Sequence, residues 1–235
     1  MVGVNDTNHQ QTPTSGDRPL LQATGLRRLA NERALLDDVS LIIRGGDRIA
    51  IVGPTGSGKT LLLRSLAKLD PLDAGEIRWC GQLVWGNNMP EFRSRVIYLH
   101  QRPALLEGTV EDNLRQPFSL RIHKDKRFSR ARIVELLESL GRDESFLSKQ
   151  QRDLSGGESQ LTALLRAIQL DPNLLLLDEP TAALDAGTTE VVEALVASWL
   201  KEQSTARATV WVTHDGQQAR CVANSVLQIH EGGLC

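Results

Sequence analysis

Only three of the 235 residues are cysteine, Cys80, Cys221 and Cys235. They are too few, too widely spaced and odd in number for a disulfide framework or a zinc site. A reducing cytosol fits this usage, with Cys80 and Cys221 expected as small buried hydrophobes. No apolar run approaches the roughly 20 residues needed to span a bilayer, short stretches such as Leu174 to Leu177 being the longest. Any membrane passage is therefore expected from another chain. The start, Met1 to Pro19, is polar and lacks the apolar centre of a secretory signal, which predicts a disordered tail over 1–19. There is no charge excess either. The formal net charge is −2, so nucleic acid is not an expected partner. Nor is there an internal repeat. What is there, at 40% hydrophobic content, is enough to bury one core over 20–235.

The glycine-rich run Gly53-Pro54-Thr55-Gly56-Ser57-Gly58-Lys59-Thr60 fits G-x-x-x-x-G-K-[ST]. In that pattern backbone N–H groups cradle phosphates, the lysine reaches the β and γ oxygens, and the hydroxyl ligates Mg²⁺. By itself it says only that a nucleotide binds, because many unrelated phosphoryl-transfer families carry it.

The flanking texture is α/β. Val39 to Ile43 and Arg48 to Val52 read as strands around a Gly45-Gly46-Asp47 turn, and Leu61 to Ala67 as a helix packed under a sheet. Short strands are expected around Glu76 to Val84. Between Thr109 and Asp153 the chain turns helical and charged, with Ile133, Leu136, Leu137 and Leu140 at helical spacing, which predicts a separate helical lobe. Leu161, Leu164, Leu165 and Ile168 repeat that spacing. The four leucines before Asp178 then read as a buried parallel strand. Val191, Val192, Leu195, Val196 and Trp199 mark one more helical face, with strands over Thr209 to Val212 and Val226 to Ile229.

Leu154-Ser155-Gly156-Gly157-Glu158 stands a short helix before Leu174-Leu175-Leu176-Leu177-Asp178-Glu179-Pro180. With these elements in order the chain resembles the ATP-binding-cassette (ABC) ATPases from about Leu20 to His230. Gln101 falls where the family has its Q-loop, Ala183-Leu184-Asp185 at its D-loop, and His214 at its switch histidine. Ser155 to Glu158, Gly108 to Leu114 and Trp211 to Asp215 are most similar to iron-efflux ATPases of the FetA/YbbL type. The resemblance implies a P-loop NTPase with a RecA-like core, a small antiparallel β lobe and a helical lobe over about 109–153.

Its cofactors would be ATP and Mg²⁺. The nucleotide would be held by Gly53 to Thr60, Gln101, Asp178 and His214, and by Ser155, Gly156 and Gly157. Thr60, Gln101 and Asp178 would serve the metal. Asp178 ends its strand where a carboxylate can hold the metal shell, and Glu179 is the expected general base on water. Gln101 would contact metal and water, and His214 the γ-phosphate. Ser155 and Gly157 should open a helix whose N-terminal N–H groups form an anion site. In the family that site serves the ATP of the opposite subunit. A head-to-tail homodimer with Asp185 at its interface is therefore expected, together with a separate transmembrane permease contacted around Pro103, Leu105, Leu106 and Phe118. The chain would then lie in the cytoplasm, peripheral on the cytosolic face of a membrane. The alternative is a soluble ABC ATPase of a cytosolic assembly complex, such as one building iron–sulfur clusters.

Two departures from the family stand out. Leu26 to Leu35 contains no aromatic residue to stack on adenine, for which Arg27 or Arg28 could substitute. Leu161 occupies a position where the family usually has arginine. Arg121, Lys124, Lys126, Arg127, Arg130 and Arg132 read as a solvated helical face, with a membrane or partner loop as the competing reading.

Overall fold

A computed structural model describes residues 18–30 and 33–234, so the tail expected over 1–19 lies almost wholly outside the described residues. The elements in chain order are β1 (Leu21–Ala30), β2 (Arg33–Ile43), β3 (Arg48–Val52), α1 (Lys59–Leu66), β4 (Ala74–Trp79), β5 (Gln82–Leu83), α2 (Met89–Arg95) and β6 (Val96–Leu99). After them come α3 (Val110–Arg115), α4 (Arg130–Ser139), α5 (Gly156–Ile168), β7 (Leu174–Asp178), α6 (Ala186–Glu202), β8 (Ala208–Val212), α7 (Gly216–Val222), β9 (Ser225–His230) and β10 (Gly233–Leu234).

The α/β reading holds. A six-stranded sheet runs β10-β9-β3-β8-β7-β6, parallel from β9 to β6, and a second, antiparallel sheet runs β2-β1-β4-β5. Every residue of β7 is buried, because both faces of its sheet are covered. The period-2 alternation of a strand sends Leu174 and Leu176 into the core shared with α1 and the antiparallel sheet. Leu175 and Leu177 enter the core shared with α3 to α6. Each such leucine contributes about 1.5–3 kcal/mol by leaving water. β7 thus joins two cores and ends at the buried Asp178.

The segment 109–153 contains α3, α4 and short single-turn helices. Its ends are tied together: Val110 N–H donates to Lys149 O at 2.9 Å and Gln151 N–H to Gly108 O at 2.8 Å. Ile133, Leu137 and Leu140 are buried as the spacing predicts, while Leu136 is half-buried.

The cysteine expectation is corrected. Cys80 and Cys221 are both exposed, the first in the turn between β4 and β5 and the second near the end of α7. Turn geometry and helix register decided their exposure, not their low polarity. The basic run is only partly a solvated face, since Lys126 is half-buried and donates to Leu170 O.

Candidate active site

A cavity of about 840 Å³ opens at the C-terminal ends of β3 and β7, lined by the 55–58 loop, the first turn of α1, Gln101, Glu179 and His214. Its floor is backbone. Gly58 caps α1 at φ +103, and a Cβ there would stand 2.9 Å from Leu35 O, so glycine is required on two grounds. No side chain caps α1 and its first turn holds no acid, leaving the N–H groups of the helix start free for an anion. Lys59 is only 8% exposed, and its Nζ donates to Gly53 O and Pro54 O at 2.8 Å each. An ammonium has three donors, so one remains for phosphate.

At the end of β7, Asp178 is buried. Its Oδ1 accepts from Thr60 Oγ1 at 3.2 Å and its Oδ2 from Tyr98 Oη at 2.9 Å. Burial, together with the Asp178 charge, pushes the Tyr98 hydroxyl well above its ordinary range, so it stays a donor. The adjoining Thr60 and Asp178 oxygens are a hard donor pair of the kind Mg²⁺ takes, with waters and phosphates completing its shell. Residues and ion therefore fit.

Glu179 sits in the left-handed region at φ +47, which costs a non-glycine residue about 1–2 kcal/mol and turns its side chain off the strand into the cavity. Gln101 Nε2 donates to Glu179 Oε2 at 2.8 Å, and His214 Nδ1 lies 3.7 Å from Glu179 Oε1. All three residues expected to be catalytic are thus together. Gln101, however, is on the carboxylate of Glu179 and makes no hydrogen bond to Thr60 or Asp178.

The signature segment lies elsewhere. Ser155 caps α5, its Oγ accepting from Glu158 N–H at 3.1 Å, while Glu158 Oε2 accepts from Ser155 N–H at 3.0 Å. Lys149 Nζ holds the other Glu158 oxygen at 2.6 Å, and these bonds keep the Glu158 carboxyl below the usual carboxylate range. Ser155 and Gly156 are exposed, and no residue from 154 to 158 lines the cavity. Gly157 packs tightly on the next loop, where an added Cβ would meet Ala183 O at 2.9 Å. Asp185 caps α6 by accepting from Thr188 N–H at 2.9 Å.

The candidate base-stacking arginines are not in the cavity. Arg27 pairs with Asp37 at 3.2 Å and Arg28 with Asp73 at 3.3 Å, because the pairing of β1 with β2 and β4 carries both away. Arg33, Ala34 and Leu35 line the cavity instead, while residues 31 and 32 of the searched stretch are outside the described residues. Leu161 is buried in the core, so an apolar residue suits the place of the family arginine. Of the expected permease contacts, Leu106 is exposed, while Pro103, Leu105 and Phe118 are half-buried.

Sequence reasoning overlooked Tyr98, Gln160 and Arg166. The one available signal was Gln160, a polar residue beside Leu161, Leu164 and Leu165 on a helix that is buried along most of its length.

A family model described as "ABC transporter" matches residues 36–182. The chain is 34% identical over 217 residues to the probable iron export ATP-binding protein FetA of Escherichia coli (strain K12), covering 92% of this chain and 94% of that protein. It is 37% identical over 216 residues to the Fe(3+) ions import ATP-binding protein FbpC 1 of Rhodococcus jostii (strain RHA1), covering 91% of this chain and 60% of that longer relative. Among solved structures, the dimeric post-hydrolysis state of the ATP-binding cassette MJ0796 bound to ADP and Pi is similar at TM-score 0.80 and 27% identity, over 91% of this chain and 96% of that one. With a phosphate-binding helix start, a buried strand ending in paired carboxylates and a signature helix all on one α/β frame, this chain belongs to the ABC transporter family, as one of its ATP-binding ATPases.

Proposed function

We propose that this chain is the energising subunit of an ABC transporter, binding MgATP between two copies of itself arranged head to tail and driving a separate transmembrane subunit from the cytosolic face of a membrane. The observation that carries this reading is the separation of the two anion sites. The cavity holds the phosphate loop and the candidate catalytic residues, yet the signature residues are exposed and do not line it. A second copy would bring its own signature to the open side, making each site composite.

In that arrangement Lys59 and the free N–H groups of α1 bind the β- and γ-phosphates. Glu179 takes a proton from water as the water oxygen attacks the γ-phosphorus and the bond to the bridging oxygen breaks, giving ADP and phosphate. Thr60 and Asp178 would hold Mg²⁺, which supplies charge neutralisation on the phosphate oxygens. Gln101 and His214 flank the Glu179 carboxylate and orient the water and γ-phosphate. Among the described residues no helix is long and apolar enough to cross a membrane, which agrees with a permease on another chain. Residues 20–235 act as one ATPase unit in which exposed Leu106, in the loop after Gln101, and Leu120 and Ile122 of the helical lobe, about 109–153, face that permease.

The cargo and direction we assign are iron and efflux. They rest on the likeness to FetA, which this chain matches along 94% of that protein's length, whereas it spans 60% of the Fe(3+)-import relative.

The shared site is tested by dilution. Turnover per subunit should fall as the protein becomes monomeric by light scattering, and a constant rate through that range would sink the mechanism. For the cargo, cells lacking this chain should accumulate iron, and unchanged iron content would reject efflux.

A further inference from the structure

Gln160 is 6% exposed, lies on α5 one turn after the signature, and makes three hydrogen bonds to two loops, the one after β6 and the one between β7 and α6. Its Nε2 donates to Gln101 O at 3.0 Å and to Glu179 O at 3.4 Å, and its Oε1 accepts from Ala183 N–H at 3.2 Å. The two carbonyls can only accept and the amide N–H can only donate, so the orientation of the Gln160 amide follows from its partners. Two turns further along α5, Arg166 donates to Ala104 O at 3.1 Å, a second tie from the same helix to the Gln101 loop.

We propose that Gln160 is a positioning residue for hydrolysis, holding the main chains of Gln101 and Glu179 in register with the signature helix and the Ala183 loop. This rests on the composite-site reading. The start of α5 meets the partner's nucleotide, while Gln160 fixes the base and the water-orienting glutamine of its own subunit. Seating the signature and aligning the base thereby become one movement. The left-handed backbone at Glu179 needs such support, since an unassisted non-glycine residue relaxes out of that region. Only a primary amide meets the site. Leucine would leave Gln101 O and the Ala183 N–H unpaired, with Glu179 O keeping only the Ala182 N–H at 3.1 Å, and a carboxylate would face two carbonyl oxygens without a proton to offer.

The test compares Gln160→Leu and Gln160→Glu with the parent, alone and combined with Glu179→Gln. Gln160→Leu should lower kcat about 10- to 100-fold while KM for ATP moves less than about threefold, because misplacement rather than lost phosphate contact is the defect. Gln160→Glu should recover activity relative to the parent as pH falls from 9 to 6, since only its protonated form donates. An unfolded fraction would also lower apparent kcat, and ionisation of the introduced carboxylate could itself unfold the chain. Every rate is therefore normalised to the folded fraction measured by circular dichroism at that pH, after which a stability defect alone leaves kcat parental and the ratio flat. Parental kcat in Gln160→Leu, or a flat Gln160→Glu ratio across this range, overturns the proposal. If Gln160→Leu does not fold by circular dichroism, the Gln160→Glu ratio decides alone. The Glu179→Gln pair keeps the two readings apart. If Glu179→Gln does not dimerise with ATP, the composite site has failed. If it dimerises and adding Gln160→Leu abolishes dimerisation, Gln160 serves binding and the positioning role is rejected.

Discussion

The starts of α1 and α5 are both helix N-termini suited to anions, and they are finished in opposite ways. α1 begins at a glycine with no side-chain cap and no acid in its first turn, so its amides are free. α5 begins at Ser155, whose hydroxyl and backbone amide are engaged by Glu158 in a reciprocal cap, with Lys149 neutralising the added charge. An uncapped start waits for its ligand. A capped start is stable without one, as suits a surface that meets phosphate only when another molecule arrives. In the proposed dimer the difference suits α1 to tight nucleotide binding and α5 to conditional contact.

In the proposed composite site both helix starts serve one carboxylate, Glu179, and removing it gives the largest effect. Glu179→Gln should lower turnover about 10²- to 10⁴-fold while leaving ATP affinity within about threefold, and an ATP-bound dimer should accumulate on size exclusion. Near-parental turnover would remove Glu179 from the role of base.

The contrast itself is broken or upheld by a pair of variants. Lys59→Ala should weaken nucleotide binding to the monomer about 10- to 100-fold, the worth of a hydrogen bond to a charged group. Ser155→Arg should leave monomer binding within about twofold yet abolish ATP-driven dimerisation, both read by fluorescent-nucleotide titration and light scattering. Loss of monomer binding in Ser155→Arg would mean that α5 serves its own nucleotide.

Stability sharpens the comparison further. Gly58→Ala places a side chain in the left-handed region and against Leu35 O, so it should cost about 1–2 kcal/mol in denaturant titration. At Gly156 an added Cβ would meet only Ala183 Cβ, at 3.4 Å, and alanine is the better helix former, so Gly156→Ala should lose no stability.

The smallest effect concerns the capping acid. Lys149 and the Ser155 amide depress the Glu158 pKa in the folded chain. A depressed folded pKa stabilises fully above the unfolded value, about 4.3 for glutamate, and that contribution is lost as pH falls through the folded value. Lys149→Ala should therefore lower the melting temperature slightly at pH 7, with the difference from the parent shrinking below pH 4. A difference that grows on acidification would reverse the assignment.

Much of this was legible in the chain because it is local. The phosphate loop is eight consecutive residues, the serine cap of α5 stands beside its own glycines, and four consecutive leucines before Asp178 can be covered on both faces only inside a sheet. Period and turn chemistry act over a few residues, so the α/β class and the buried strand followed from sequence alone. Tertiary structure decided everything that depends on strands meeting across long separations. Parallel pairing of β6 with β7 sets Tyr98 opposite Leu176 and lets its hydroxyl reach Asp178, 80 residues away. Pairing of β1 with β2 and β4 carried Arg27 and Arg28 away from the cavity that their position in the sequence suggested. Packing of α5 brought Gln160 onto Gln101, 59 residues distant. A side chain's partners across such distances are chosen by which surfaces bury together, and no short window of sequence contains both surfaces.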